Sequence, residues 1–215
     1  MITASDGHTF DAYRAEPSGT PCGAIVVVQE IFGVNHHIRN VTDGFAADGY
    51  VAIAPALFDR IERGVDLPYT AVPEGRALKV QISVEMAMKD LDATIAAVAP
   101  AGKVGIVGYC WGGFVTWMAS AHADGLACAV PYYGGGMLEN MDIVPRVPVM
   151  GHFGARDAIL PVDKVNQLIA KHPQQQFFIY EADHGFNCDE RGSYDEAAAK
   201  LARERTLAFF RQHVG

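Results

Sequence analysis

The chain has 215 residues, half of them apolar and a fifth charged, which fits one domain spanning 1–215 with a sizeable core and excludes a disordered or fibrous protein. Acidic residues outnumber basic ones 25 to 17, a formal charge of −8, so neither nucleic acid nor an anionic membrane surface is expected as a partner. That balance leaves open an anionic small molecule, because a local arginine can still hold one.

In chain order, Asp6-Gly7 falls between two short extended segments and reads as a hairpin turn. Ala24-Ile25-Val26-Val27-Val28 is a continuous β-branched run of the kind that suits a strand buried on both faces. Residues 36–48 carry Ile38, Val41, Phe45 and Ala46 at helical spacing, and Gly49 supplies a C-terminal stop. Val51 to Pro55 reads as the next strand. Residues 59–75 mix turn formers with both charge signs and read as an irregular excursion. A helix is predicted over 83–98, closed by Pro100 and Gly102, and a strand over 103–107. A glycine-bracketed turn leads into a helix ending near His122. Further strands are predicted near 126–132, 147–153 and 176–181, with helices over 161–171 and 194–212. Strands alternating with helices imply an α/β fold, a mainly parallel central sheet flanked by helices.

Gly108-Tyr109-Cys110-Trp111-Gly112-Gly113 stands between a predicted strand and a predicted helix. It has the G-x-S-x-G pattern of a nucleophile elbow with cysteine in place of serine. Such a turn leaves its nucleophile exposed at the carboxyl end of the sheet and facing a helix N-terminus, which favours a thiolate. A phosphate-binding glycine loop fits less well, since no lysine or acidic ribose partner stands where one is needed.

An elbow of this kind takes its partners in the chain order nucleophile, acid, histidine. Asp157 follows the strand ending near Phe153, and His184 follows the last predicted strand. His184 would relay the proton and Asp157 would fix its tautomer. Asp183 and Asp163 are rivals to Asp157: the first adjoins His184, and the second opens a predicted helix. His152, inside a strand, reads as a core histidine.

The chain resembles the dienelactone hydrolase (carboxymethylenebutenolidase) family over nearly its whole length. The resemblance rests on Gln29-Glu30-Ile31-Phe32-Gly33-Val34-Asn35, Gly49-Tyr50, Ala54-Pro55 and Val107 to Gly113. It continues through Tyr132-Tyr133-Gly134, the Asp157 and His184 loops, and Glu204 to Phe210. It implies an α/β-hydrolase fold and a Cys110–His184–Asp157 triad. It also implies that Glu30 gates the nucleophile: at rest a neutral thiol contacts the glutamate, and substrate binding moves that glutamate to yield the thiolate. Main-chain N–H groups of Ile31 and Trp111 are the implied oxyanion hole, and Phe32, Trp111, Tyr133 and Phe186 an apolar wall.

The family's enol-lactone hydrolases hold a substrate carboxylate with two arginines, one in the excursion and one just after the catalytic histidine. Arg76 falls in the right region for the first. Cys188 stands where the second would be, with Arg191 nearby but displaced. The expected activity is hydrolysis of a small lactone or activated ester through a cysteinyl thioester. Acyl transfer through the same thioester and ligand sensing without turnover are the alternatives. No cofactor and no metal are expected, and the assembly is expected to be a monomer or homodimer. Cys22, Cys110, Cys128 and Cys188 form no C-x-x-C pair, and the N-terminal residues have no basic-then-apolar leader pattern. A cytoplasmic protein with reduced thiols is the expectation.

Overall fold

The computed structural model describes residues 1–215. Strands β1 (Ile2–Thr3) and β2 (Thr9–Phe10) pair antiparallel around Gly7, whose φ of 84° gives the turn expected at Asp6-Gly7. The chain continues through β3 (Ala12–Ala15), β4 (Ala24–Val28), α1 (His36–Ala47), β5 (Val51–Pro55), α2 (Val72–Lys79) and α3 (Val84–Val98). It ends with β6 (Val104–Tyr109), α4 (Trp111–His122), β7 (Leu126–Tyr132), β8 (Met150–Gly154), α5 (Val162–Lys171), β9 (Gln176–Tyr180) and α6 (Glu196–His213).

Seven strands form one sheet in the order β3-β5-β4-β6-β7-β8-β9, parallel except for β3, which lies antiparallel against β5. Every residue of β4, β5, β6 and β8 is buried, so the sheet must be covered on both faces, as their continuous apolar runs require. The edge strands β3 and β9 are only partly buried. Helices α1 and α6 share one face, where Phe45 and Phe210 meet edge to face at 5.7 Å. Helices α3 and α4 pack together on the other. Helix α4 is apolar almost all round, and that composition is stable only where neighbours cover it.

Strand order positions the site. From β4 the chain passes to β5 on one side, then returns to β6 on the other side of β4. The loops leaving β4 and β6 therefore diverge, and an open α/β sheet forms its ligand crevice where they do, at the carboxyl ends of the strands. Glu30 lies on the first of these loops and Cys110 on the second.

Three expectations need correction. The excursion over 59–75 is not wholly irregular: a 3₁₀ turn occupies Leu57–Arg60, and α2 begins at Val72. Pro73 sits in the first turn of α2, where its missing N–H costs nothing. Gly75 is a contact residue, since a Cβ there would stand 2.1 Å from the carbonyl oxygen of Ile31. The strand expected from 147 starts at Met150, although Val149 still bridges to Ala129. The last helix starts at Glu196 because Asp195 caps it, accepting a hydrogen bond from the Ala198 N–H at 3.0 Å. No helix is long and apolar enough to cross a membrane.

Candidate active site

Cys110 occupies the tight turn between β6 and α4, with φ 55° and ψ −115°. A non-glycine residue held there stores strain on the order of 1–3 kcal/mol, which only a well-determined surrounding sustains. The glycines supply that surrounding. A Cβ at Gly108 would stand 2.1 Å from the Gly112 oxygen, and one at Gly112 would stand 2.4 Å from the Val28 and Gln29 oxygens. Helix α4 can thus start hard against the end of β4. The Cys110 N–H is anchored to the Tyr132 oxygen at 3.1 Å.

His184 Nδ1 and Asp157 Oδ2 are 2.8 Å apart, both side chains buried. The other Asp157 oxygen accepts from the Ile159 and Leu160 N–H groups at 2.8 and 3.1 Å, which fixes the carboxylate from its own loop. Of the acidic residues weighed from sequence, it is Asp157 that meets His184. Burial opposes protonation of His184, but its hydrogen bond to Asp157 and the neighbouring Cys110 outweigh it and push the imidazole up to about 10. His184 Nε2 is buried and makes no hydrogen bond to another protein group. His152 is a core histidine, held between Tyr180 Oη at 2.8 Å and Thr206 Oγ1 at 3.1 Å. Burial lowers its pKa to about 3.

Glu30 is buried at 1% exposure, which a solvated loop residue would not be. Its Oε1 accepts a hydrogen bond from Arg191 Nη1 at 3.1 Å, while its Oε2 has no partner. No hydrogen bond joins Glu30 to the Cys110 thiol; the hydrogen-bond partner of its carboxylate is Arg191. Arg191, displaced in sequence, reaches the carboxylate because the Gly185–Arg191 loop folds back on itself. A Cβ on Gly185 would stand only 2.6 Å from Arg191 Nη1, so the glycine lets the guanidinium pass close to the backbone. Gly185 has φ +80°.

Cys110, His184 and Arg191, but not Glu30 or Asp157, face a cavity of about 540 Å³ lined also by Ile31, Phe32, Trp111 and Arg76. Val72, Lys79, Gly135, Gly136, Glu139 and Ile159 complete the wall. Tyr133 and Phe186, expected on that wall, do not line it. Both are wholly buried, Tyr133 with its ring 5.1 Å from His184 and Phe186 5.3 Å from Tyr133, so they back the histidine. Lys79 was not anticipated. It lies one turn beyond Arg76 on the same face of α2, and an (i, i+3) pair becomes visible only once that segment is known to be helical. Two arginines, one lysine and one carboxylate line this cavity beside His184, in a chain of net charge −8.

A strand–elbow–helix at the switch point of a mostly parallel sheet defines the α/β-hydrolase fold. The dienelactone hydrolase family profile matches residues 10–214. A carboxymethylenebutenolidase of Pseudomonas putida is 36% identical over 222 residues, covering 97% of this chain and 93% of the relative. A crystal structure from Klebsiella pneumoniae subsp. pneumoniae MGH 78578, carrying the name dienelactone hydrolase as a provisional assignment, superposes with a TM-score of 0.88. It is 34% identical and covers 99% of this chain and 98% of that one. A dienelactone hydrolase-like promiscuous phosphotriesterase from metagenomic libraries shares the fold at 18% identity and TM-score 0.80, covering 100% of this chain and 97% of its own. The chain belongs to the dienelactone hydrolase family and is a hydrolase of that type.

Proposed function

We propose that the protein hydrolyses small lactones or activated esters bearing an anionic group, with Cys110 as nucleophile. The observation that carries this reading is the strained elbow cysteine on the wall of a cavity shared with His184, whose ring Asp157 holds at 2.8 Å. The Cys110 thiolate attacks the carbonyl carbon. Trp111 is the first residue of α4, so its N–H has no partner within the helix; together with the Ile31 N–H it receives the oxyanion. Collapse of the tetrahedral intermediate expels the ring oxygen, which takes a proton from the His184 imidazolium, and leaves a thioester on Cys110. His184, now neutral, removes a proton from water. The resulting hydroxide attacks the thioester, and the thiolate and the free acid are regenerated. Asp157 holds the ring and stabilises its charge. A thiolate is readily expelled again from the intermediate, which suits substrates with good leaving groups and disfavours peptides.

Arg191 and Arg76 are the anchors for the substrate's anion. An anion that takes the Arg191 guanidinium competes with Glu30, which already holds it. The displaced carboxylate, left without its cation, then serves as acceptor for the thiol proton, and this is the form of gating that the geometry supports. The test is a hydrolysis screen of carboxylated lactones and neutral aryl esters with Cys110→Ala as the blank. Turnover confined to the parent protein is expected; equal turnover in the blank refutes the reading.

A further inference from the structure

Three donor side chains that the proposed reaction does not use meet between helix α1 and the loop carrying Arg191. His37 lies in the first turn of α1, and Cys188 and Asp189 lie in the loop after His184. A ring nitrogen of His37, the Cys188 sulfur and an Asp189 carboxylate oxygen all stand within 4.8 Å of one another. His37 and Cys188 are buried, at 4% and 0% exposure, while Asp189 is exposed. His37 Nδ1 and Asp189 Oδ1 are already 3.0 Å apart, and His37 Nε2 is buried without a partner. An ion seated between His37 and Asp189, with the Cys188 sulfur as a third ligand, would use donors that already converge. His37 and Asp189 also line a second cleft of about 370 Å³, so solvent and small ions reach the cluster from outside the reaction cavity.

We propose that His37, Cys188 and Asp189 form a site for a zinc-class divalent cation. The cation clips the loop after His184 onto α1, which fixes Arg191 three residues beyond Cys188. The donor set selects the ion. Calcium and magnesium take oxygen ligands, whereas a buried sulfur and a buried nitrogen joined by one exposed carboxylate oxygen suit borderline-soft zinc. Zinc–ligand bonds of about 2.0–2.3 Å require the donors to close in slightly, and Asp189, exposed on a loop, has the freedom to do so. On binding, the Cys188 thiol gives up its proton to solvent. Thiolate and carboxylate then balance the two positive charges of the ion, as they must beside the positive end of α1. Water from the cleft fills the fourth position.

The test uses the full-length Cys110→Ala protein, which removes the active-site thiol as a competing ligand. Zinc is titrated calorimetrically, and cobalt(II) serves as the spectroscopic substitute. The expected result is one ion per chain, a thiolate-to-cobalt charge-transfer band, and a Tm that rises with zinc concentration, as mass action requires. Adding Cys188→Ser abolishes the band. Asp189→Asn, at an exposed position that leaves folding intact, weakens affinity about tenfold or more. Absence of saturable binding overturns the proposal, as does a band that survives Cys188→Ser or an affinity indifferent to Asp189→Asn. If Cys188→Ser fails to fold, as circular dichroism will report, the Asp189→Asn affinity decides.

Discussion

Arg191 and Glu30, 161 residues apart in the chain, share a 3.1 Å hydrogen bond that joins the wall of the cavity to a carboxylate buried behind it. The guanidinium is 22% exposed and the carboxylate 1%, so Glu30 depends on Arg191 far more than the reverse. Arg191→Ala leaves a buried charge uncompensated and should destabilise the fold by about 3 kcal/mol, the low end for a broken buried pair, because the cavity readmits water. Adding Glu30→Gln removes the orphaned charge and should restore part of the loss. Urea unfolding of the two single variants and the double checks this. Strictly additive losses would mean that the pair is not energetically coupled.

Substrate selectivity follows from the same cation. A charged hydrogen bond to the substrate is worth roughly 1.5–3 kcal/mol, so Arg191→Ala and Arg76→Ala should each raise KM for a carboxylated lactone about tenfold to a hundredfold. A neutral ester of similar size should be almost unaffected. The comparison is kcat/KM for both substrates in the parent and both variants, and a parent that prefers the neutral ester contradicts the anionic assignment.

Asp157→Asn keeps an oxygen for the Ile159 and Leu160 N–H groups but no longer holds His184 in the productive tautomer. We expect kcat to fall on the order of 10³–10⁴-fold with little change in thermal unfolding. A drop of less than about tenfold would remove Asp157 from the triad.

His152 sets a pH dependence of stability apart from catalysis. Its pKa is about 6.5 when unfolded and about 3 when folded, lowered first by burial and then by Arg205. Below pH 6.5 the unfolded chain therefore binds a proton that the folded one does not. The contribution is full above pH 6.5 and is lost as pH falls towards 3, at about 1.4 kcal/mol per unit. His152→Gln should flatten the acid side of the stability curve by that slope. Denaturant midpoints between pH 4 and 7 in the two proteins measure it, and parallel curves would contradict it.

Much of this was legible in the sequence, for definite reasons. The elbow glycines fit a nucleophile turn better than a phosphate loop, and Asp157 and His184 each stand at the end of a strand, on the side of the sheet where Cys110 lies. Strands buried on both faces announce themselves as unbroken apolar runs. Helix α2 did not, because Pro73 and Gly75 read as turn formers when one opens the helix and the other lets it touch Ile31. With α2 hidden, Lys79 was hidden too. Tyr133 and Phe186 read from the sequence equally as cavity wall or as core, since an aromatic residue at a strand end can face the cavity or back the histidine and composition does not say which; the structure buries both. The Arg191–Glu30 pair depends on how the Gly185–Arg191 loop folds back, which no local signal encodes.

The central claim is a covalent thioester on Cys110. It is tested most directly by intact-protein mass spectrometry of a slow aryl ester reaction quenched in acid during turnover, followed by peptide mapping. The account predicts an adduct of the acyl mass in the parent, located on the peptide containing Cys110, rising within the first turnover and absent in Cys110→Ala. Steady hydrolysis by the parent with no adduct at any time, or with the acyl group on another residue, would contradict it.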